Sequence, residues 1–137
     1  MNGKLTTSQQ QLLREAKKAR EAAYAPYSKF KVGAAVRTRA GNVYTGCNVE
    51  NASYGLSMCA ERIAIFKAVT AGDTDITDIA LLTDTPTPSS LCGACRQVLF
   101  QFGKSSRVVA GNLEGSVVVS SVSELLPHPF RFDPPPA

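Results

Sequence analysis

The segments CAERIAIFKAV (residues 59–69), ITDIALLT (76–83) and CGACRQVLFQFG (92–103) decide the fold. The first predicts a helix that stops at Gly72, and its apolar residues point in almost every direction. A helix of that kind is buried, so we expect it to pack against a sheet. The second segment predicts a strand of that sheet, and the third predicts another helix that stops at Gly103. Helix, strand and helix in succession are typical of an α/β domain.

The neighbouring segments add further strands to this sheet. A strand at Phe30–Arg37, a turn at Ala40–Asn42 and a return strand at Val43–Asn48 come before it, and strands at Arg107–Ala110 and Ser116–Ser120 follow. We therefore predict a single three-layer α/β/α domain with a mixed five-stranded sheet. The domain spans residues 1–137, with its core at about 7–126.

The two ends of the chain have weaker patterns. Apolar residues at spacings of 4, 3 and 4 predict a first helix that runs to about Ala23. Thr6–Ser8 offer N-cap candidates, with Gln10 or Gln11 as the capping partner. Ser123–Leu126 predicts a short helical turn, and the tail at Pro127–Ala137 contains five prolines and predicts irregular structure.

The composition narrows the class of protein. The chain has 137 residues, 44% of them hydrophobic and 19% charged, which suits one folded domain. No apolar run reaches the roughly 18 residues of a membrane span, and the first residues lack a signal peptide, so we expect a cytoplasmic protein. The net charge of +4 belongs to residues 1–31, which hold seven Lys or Arg and two Glu. No nucleic-acid motif accompanies these cations, so a solvated helix face explains them better than a nucleic-acid footprint.

The four cysteines are the candidate functional residues. In a reducing compartment, Cys92-x-x-Cys95 indicates metal or redox chemistry. These two residues share one face of a helix's first turn, and Cys59 lies at the start of another helix, where the N-terminus favours thiolates. Three thiolates could bind one zinc ion and leave its fourth position open, as in catalytic sites. The alternatives are a closed structural zinc site with Cys47 as fourth ligand, or a thioredoxin-like redox pair. Cys47 itself is expected to be a buried strand cysteine.

The residues after Cys59 suit such a zinc site. On an ideal helix Glu61 would point away from the metal, but at a frayed first turn its carboxylate could reach the rim and transfer protons. Three thiolates and Zn²⁺ sum to −1, which calls for a compensating cation. Arg62 is the candidate for this cation. It would donate hydrogen bonds to the cysteine sulfurs without binding the metal itself.

These residues resemble a known family. Cys59-Ala-Glu-Arg and Cys92-Gly-Ala-Cys-Arg-Gln resemble the zinc signature of the cytidine deaminases in its all-cysteine variant. The segments at Tyr27–Ala35 and Gly46–Leu56 are similar to the nucleoside-binding segments of the small, homotetrameric members. The resemblance runs from about Thr7 to Leu126. One departure is Leu91, where the family usually has proline before the Cys-x-x-Cys.

The resemblance implies an activity and a site. Cys59, Cys92 and Cys95 would bind one Zn²⁺ per subunit, and Glu61 would shuttle protons during attack of water on C4 of cytosine. The products would be uridine or 2′-deoxyuridine and ammonia, in pyrimidine salvage. The remaining predicted contacts are Asn48 and Glu50 with ribose, Phe30 with the base, and the backbone of Ala60 with the pyrimidine. Tyr54 would also contact substrate, and Tyr54 and Phe130 would matter across subunit interfaces. Phe132 competes with Phe130 for that role.

Two other function classes stay open at this point. One is a non-catalytic, zinc-stapled binding module, which would use the basic first helix to contact nucleic acid. The other is an editor of RNA or single-stranded DNA, which must accommodate flanking bases. The short chain shows no basic, aromatic-interleaved arm for that purpose. We expect a nucleoside substrate, a homotetramer and no membrane partner.

Overall fold

The computed structural model describes residues 4–132. Its helices and strands follow the predicted order, with bounds that shift by up to three residues. The elements are α1 (Thr7–Arg20), β1 (Val32–Thr38), β2 (Val43–Cys47), a 3₁₀ turn (Tyr54–Leu56), α2 (Ala60–Thr70), β3 (Ile76–Thr83), α3 (Gly93–Phe102), β4 (Arg107–Asn112), β5 (Val117–Ser121) and α4 (Val122–Leu125).

The five strands form one mixed sheet in the order β2-β1-β3-β4-β5. β3 and β4 are parallel, and the other neighbouring pairs are antiparallel. The parallel pair needs a crossover, and α3 supplies it between β3 and β4. The predicted mixed five-stranded sheet is confirmed.

Helices cover both faces of this sheet. Leu12 and Ala16 of α1 pack in one cluster with Ala35 of β1. Ala64 of α2 packs in the other cluster with Ala34 of the same strand. Since successive residues of a strand point to opposite faces, α1 and α2 lie on opposite sides. α3 joins α2 through Leu99, so the predicted three layers are confirmed.

Two glycines bring the helices close to the sheet. A Cβ at Gly33 of β1 would lie 1.9 Å from the carbonyl oxygen of Ala16 in α1. A Cβ at Gly46 of β2 would lie 2.6 Å from the carbonyl oxygen of Ala60 in α2. Each helix backbone therefore rests directly on a strand, and the start of α2 is held in place by β2.

The structure corrects the predicted first helix. Its N-cap is Thr6, and the capping partner is Gln9 rather than Gln10 or Gln11. Gln9 reaches back to the Thr6 amide because it is the third helical residue counted from that cap. The helix ends at Arg20 and not at Ala23, and residues 22–25 turn toward the loop after β2.

Two burial predictions are also wrong. Phe66 of α2 is 39% exposed, so this helix is not covered on every side. Cys47 is half-buried rather than buried, because it ends an edge strand. Among the described residues 4–132, both side chains therefore stay partly open to solvent.

No helix among residues 4–132 has the length and hydrophobicity to span a membrane. In the predicted irregular tail, residues 127–132 form neither helix nor strand. His128 is exposed there, and residues 133–137 lie outside the described part of the chain.

Candidate active site

Three cysteine sulfurs converge where two helices begin. Cys59 is the N-cap of α2, Cys92 is the N-cap of α3, and Cys95 lies in the first turn of α3. The Sγ atom of Cys92 lies 3.8 Å from that of Cys59 and 3.4 Å from that of Cys95. All three sulfurs lie within 4.8 Å of one another.

These distances suit a zinc ion. Zn–S bonds of about 2.3 Å at tetrahedral angles place two thiolates about 3.8 Å apart. Among residues 4–132, the donor set consists of three thiols with no fourth protein ligand, which leaves one position for water or substrate. Cys47 is outside this group, so the closed site with four cysteines is not what the structure shows.

The thiols do not share their charge equally. The pKa of Cys59 falls to about 5, because the Cys95 thiol and Arg62 both donate hydrogen bonds to it. The same Cys59 sulfur, together with burial, raises the pKa of Cys95. With protein groups alone, the pKa values of Cys59 and Cys95 are thus shifted in opposite directions, and the thiolate is favoured at Cys59. A divalent cation favours the deprotonated form of every ligand, so its binding would release protons.

Arg62 lies beside the cluster. Its Nη2 donates a hydrogen bond of 3.4 Å to Cys59 Sγ. That contact is the one predicted for it, on the side of the sulfurs away from the cavity. A fixed positive charge here offsets part of the negative charge of three thiolates.

Glu61 is 5% exposed and lines a cavity next to the thiols. Burial raises the pKa of its carboxyl to about 7, and the neighbouring Cys59 charge adds to this effect. Glu61 occupies the second helical position of α2, after the N-cap, where the backbone still lets its side chain reach the cavity. A carboxyl with a pKa near neutrality is suited to both accept and give up a proton.

The cavity has a volume of about 380 Å³, within the range of small-molecule sites. It brings together every residue predicted to contact substrate, whereas Phe130, which was predicted to act across a subunit interface, does not line it. Those present are Phe30, Asn48, Glu50, Tyr54, Ala60 and Glu61, next to Cys59 and Cys92. Sequence reasoning missed Ser28, Thr83, Ser89 and Ser90, which also line it. Ser28 lies within the segment that carries the resemblance, whereas Ser89 and Ser90 had no signal beyond their proximity to Cys92.

Glu50 is held by four donors. Its Oε1 accepts from the amides of Tyr27 (3.0 Å) and Ser28 (3.1 Å). Its Oε2 accepts from the Ser28 hydroxyl and, at 3.4 Å, from the Tyr54 hydroxyl. The Ser28 hydroxyl is the largest cause of the lowered pKa of Glu50. The carboxylate is thus ionised and fixed, although it is only 6% exposed.

The backbone around Glu50 is strained at one residue. Lys29 adopts a φ of 62°, which is uncommon for a residue with a side chain. This left-handed step lies between Ser28, which turns to Glu50, and Phe30, which lines the cavity. Phe30 is 41% exposed and precedes β1, so the predicted strand start at this residue is two positions too early.

Asn48 ties two strands together at the cavity. Its Nδ2 donates to the carbonyl of Phe30 (2.7 Å), and its Oδ1 accepts from the amide of Val32 (2.8 Å). One N–H and one acceptor position of the amide remain for a ligand.

The C-terminal aromatic residues lie elsewhere. Phe130 and Phe132 are 68% and 67% exposed, with ring centroids 5.7 Å apart in an edge-to-face pair. Gln97 of α3 holds the Phe130 backbone, accepting from its amide (3.1 Å) and donating to its carbonyl (2.8 Å). Neither ring lines the cavity of its own chain.

Comparison with known proteins agrees with this geometry. A family profile described as the cytidine and deoxycytidylate deaminase zinc-binding region matches residues 6–112. The chain belongs to the zinc-dependent cytidine deaminase family. Its cysteine cluster is therefore the zinc site of a deaminase domain.

Similar proteins of this family come from distant organisms. A cytidine deaminase of Halalkalibacterium halodurans is 51% identical over 122 residues, covering 88% of this chain and 92% of that protein. A probable cytidine deaminase of Dictyostelium discoideum is 43% identical, covering 84% and 78%. The crystal structure of the Burkholderia pseudomallei cytidine deaminase superimposes with a TM-score of 0.87 at 51% identity, covering 92% of this chain and 100% of that one.

Proposed function

We propose that the protein catalyses the hydrolytic deamination of cytidine and 2′-deoxycytidine to uridine and 2′-deoxyuridine, with release of ammonia, in pyrimidine salvage. One observation carries this proposal. The buried carboxyl of Glu61 lies in the same cavity as a three-thiol zinc site and an ionised carboxylate, Glu50. The Glu61 carboxyl and the zinc site together suit hydrolysis of a cyclic amidine, and Glu50 suits a ligand with hydroxyl groups.

The catalytic roles follow from these positions. Cys59, Cys92 and Cys95 hold the zinc ion, which when bound supplies a Lewis acid that lowers the pKa of water. Glu61 takes a proton from the attacking water and passes it to the ring nitrogen. It then takes the second proton from the new hydroxyl on C4 and passes it to the amino group, so that ammonia leaves and the carboxylate is restored. Its pKa of about 7 matches a group that must exchange protons in both directions near neutral pH.

The other lining residues bind the nucleoside. Glu50 accepts hydrogen bonds from ribose hydroxyls, and the free amide positions of Asn48 add a donor and an acceptor. Phe30 offers an aromatic face to the pyrimidine, and the backbone of Ala60 contacts its edge. Tyr54 adds a hydroxyl beside Glu50.

The charge of the cavity favours a nucleoside over a nucleotide. None of the described residues that line it is Lys, Arg or His, while Glu50 is ionised there. A 5′-phosphate would meet a carboxylate and no cation, which costs binding energy. We therefore place free nucleosides, rather than deoxycytidylate or a polynucleotide, as the substrate class.

We extend the proposal to assembly and domain limits. Residues 7–126 form the deaminase domain of a single-domain chain, and 127–137 form an appended tail. Exposed aromatic residues on several elements, including Tyr24, Phe66 and Phe130, support a homotetramer in which Phe130 or Phe132 meets a neighbouring subunit. The free thiols of the zinc cluster support a reducing, cytoplasmic location.

An absorbance assay tests the activity. Purified zinc-loaded protein is mixed with cytidine, 2′-deoxycytidine, cytidine 5′-phosphate or a cytosine-containing oligonucleotide, and conversion to the uracil product is followed. We expect turnover of the two nucleosides only, and a loss of at least about 100-fold in kcat for Glu61→Gln. If zinc-loaded wild type is no faster than Glu61→Gln, the chain is a zinc-stapled binding module instead.

A further inference from the structure

Arg96 of α3 makes three hydrogen bonds with three different nitrogen atoms. Its Nε donates to the carbonyl of Leu91 (2.8 Å), and its Nη2 donates to the hydroxyl of Ser90 (3.0 Å). Its Nη1 donates to the carbonyl of Leu125 (2.8 Å), at the end of α4. The side chain therefore joins α3, α4 and the loop that leads into α3.

Two of these bonds hold the residues that directly precede a metal ligand. Ser90 and Leu91 come immediately before Cys92, which is the exposed member of the cysteine cluster. Ser90 also lines the cavity, and Leu91 is 2% exposed. On its other side, Cys92 is the N-cap of α3, where the Arg96 amide donates to its carbonyl (3.0 Å) and the Cys95 amide donates to its sulfur (3.5 Å). The position of the Cys92 sulfur thus depends on residues 90 and 91 on one side and on this helix start on the other.

The chemistry of this contact calls for an arginine. A planar guanidinium presents donors in fixed directions, so it can reach three acceptors at once. A lysine at this position would present a single ammonium and could not reproduce that pattern. Leu91 leaves its own φ free, unlike a proline, so the turn is restrained by the bonds from Arg96 and by burial of the leucine.

We propose that Arg96 is a positioning residue of the metal site. It fixes Cys92 at the spacing that zinc needs, and it holds the cavity wall formed by Ser90. It touches neither the metal nor the substrate. Its effect passes through the backbone of residues 90–92, and its bond to Leu125 anchors the whole arrangement on α4.

A matched control exists on the other side of the sheet. Arg37 of β1 also bonds to three acceptors, the Ser8 carbonyl (3.1 Å), the Ser8 hydroxyl and Gln11 Oε1 (3.5 Å). These contacts tie β1 to α1 and involve no residue of the cavity. Arg37→Gln therefore reports the cost of losing a similar network away from the metal.

The test measures metal binding first. Zn²⁺ affinity is determined by competition with a chromogenic chelator, and the absorption of the Co²⁺-loaded protein reports thiolate geometry. We expect Arg96→Gln and Arg96→Lys to weaken zinc binding by about tenfold or more and to change the Co²⁺ spectrum. Arg37→Gln should lower the melting temperature and leave both metal readouts unchanged.

The kinetic part rests on the proposed function, whereas the metal part does not. For the cytidine reaction we expect a raised KM and a lowered kcat in the Arg96 variants with zinc in excess. If Arg96→Gln fails to fold, Arg96→Lys, which keeps the charge, carries the test alone. The proposal is overturned if the Arg96 variants that fold lose only thermal stability, as Arg37→Gln does, while zinc affinity and the Co²⁺ spectrum match wild type.

Discussion

Two buried glutamates in one cavity have opposite charge states. Glu61 has few donors around it, so burial raises its pKa to about 7. Glu50 is as deeply buried, but the Ser28 hydroxyl and two backbone amides lower its pKa. Hydrogen bonds to the charged form outweigh desolvation at Glu50 and do not at Glu61. One carboxyl is thereby suited to proton transfer and the other to binding hydroxyl groups.

The cysteine cluster gives a direct prediction at the residue scale. Cys92→Ser should lower zinc affinity by more than the roughly 10- to 100-fold that loss of a supporting group causes, because it removes a ligand. Cys47→Ser is the matched control, since this half-buried cysteine lies outside the cluster. Zinc content after gel filtration measures both. Equal zinc loss in the two variants would mean that Cys47 is also a ligand.

Glu50 gives a prediction about pH. Because its pKa is lowered in the folded state, its stabilising contribution is present above the unfolded pKa of about 4.3 and is lost as pH falls through the folded value. In metal-free protein, wild type should therefore be more stable than Glu50→Gln at pH 7, and the difference should shrink with acidification below about pH 5. Urea unfolding at a series of pH values measures this difference. A difference that stays constant between pH 7 and pH 3 contradicts the account.

At the scale of helices and strands, the starts of two helices supply the metal ligands, and a glycine lets α2 approach the sheet closely. Cys59 and Glu61 are fixed by the start of α2, which rests on Gly46 of β2. Cys92 and Cys95 are fixed by the start of α3. The cluster therefore forms only if both helix starts lie at the same edge of the sheet.

Alanine substitutions at Gly46 and Gly33 test whether the position of α2 affects metal binding in addition to stability. Gly46→Ala should cost about 1–3 kcal/mol or more, because its Cβ would lie 2.6 Å from Ala60 O and 2.7 Å from Ala64 N. We expect the displaced helix to weaken zinc binding as well. Gly33→Ala is the control, since it displaces α1 on the opposite face. Urea unfolding and chelator competition measure the two effects. Unchanged zinc affinity in Gly46→Ala would show that α2 keeps its position.

At the scale of the whole molecule, the exposed apolar side chains point to further assembly. Leu56 is 71% exposed and Tyr54 57%, both in the 3₁₀ turn after β2, and Tyr54 lines the cavity. Phe66 adds an aromatic ring on the outer side of α2. Contact between subunits would remove these groups from water and enclose the site further.

Light scattering with gel filtration tests the tetramer. We expect a mass about four times the 14.6 kDa of one chain. Phe66→Asp should shift it to smaller species, because a charge would be buried in an interface. Leu113→Asp is the matched control, since Leu113 is also 39% exposed but lies at the β4–β5 turn. A monomer mass for wild type would contradict the tetramer.

The sequence by itself determined the order of helices and strands, the three-layer domain with its single sheet, and the three cysteines of the metal site. These follow from local patterns: hydrophobic periodicity, glycine stops and the Cys-x-x-Cys spacing are read within a few residues. One of its errors was local as well, whereas the exposure of Phe66 and Cys47 depends on tertiary packing. The capping residue Gln9 was missed because three adjacent glutamines offered equivalent choices, and the cap depends on which residue takes the N-cap backbone conformation.

Only the tertiary structure decided the charge states and supports of the site. The pKa of Glu61, the unequal thiols and the Arg96 contacts all depend on how the fold packs groups together, including groups far apart in the chain. Glu50 meets its donors 22 and 23 residues away, and Arg96 reaches Leu125 across 29. Burial and hydrogen bonding are properties of what packs around a group, so no local pattern encodes them. The sequence thus identifies the side chains of the site, while the tertiary structure sets their pKa values and their positions.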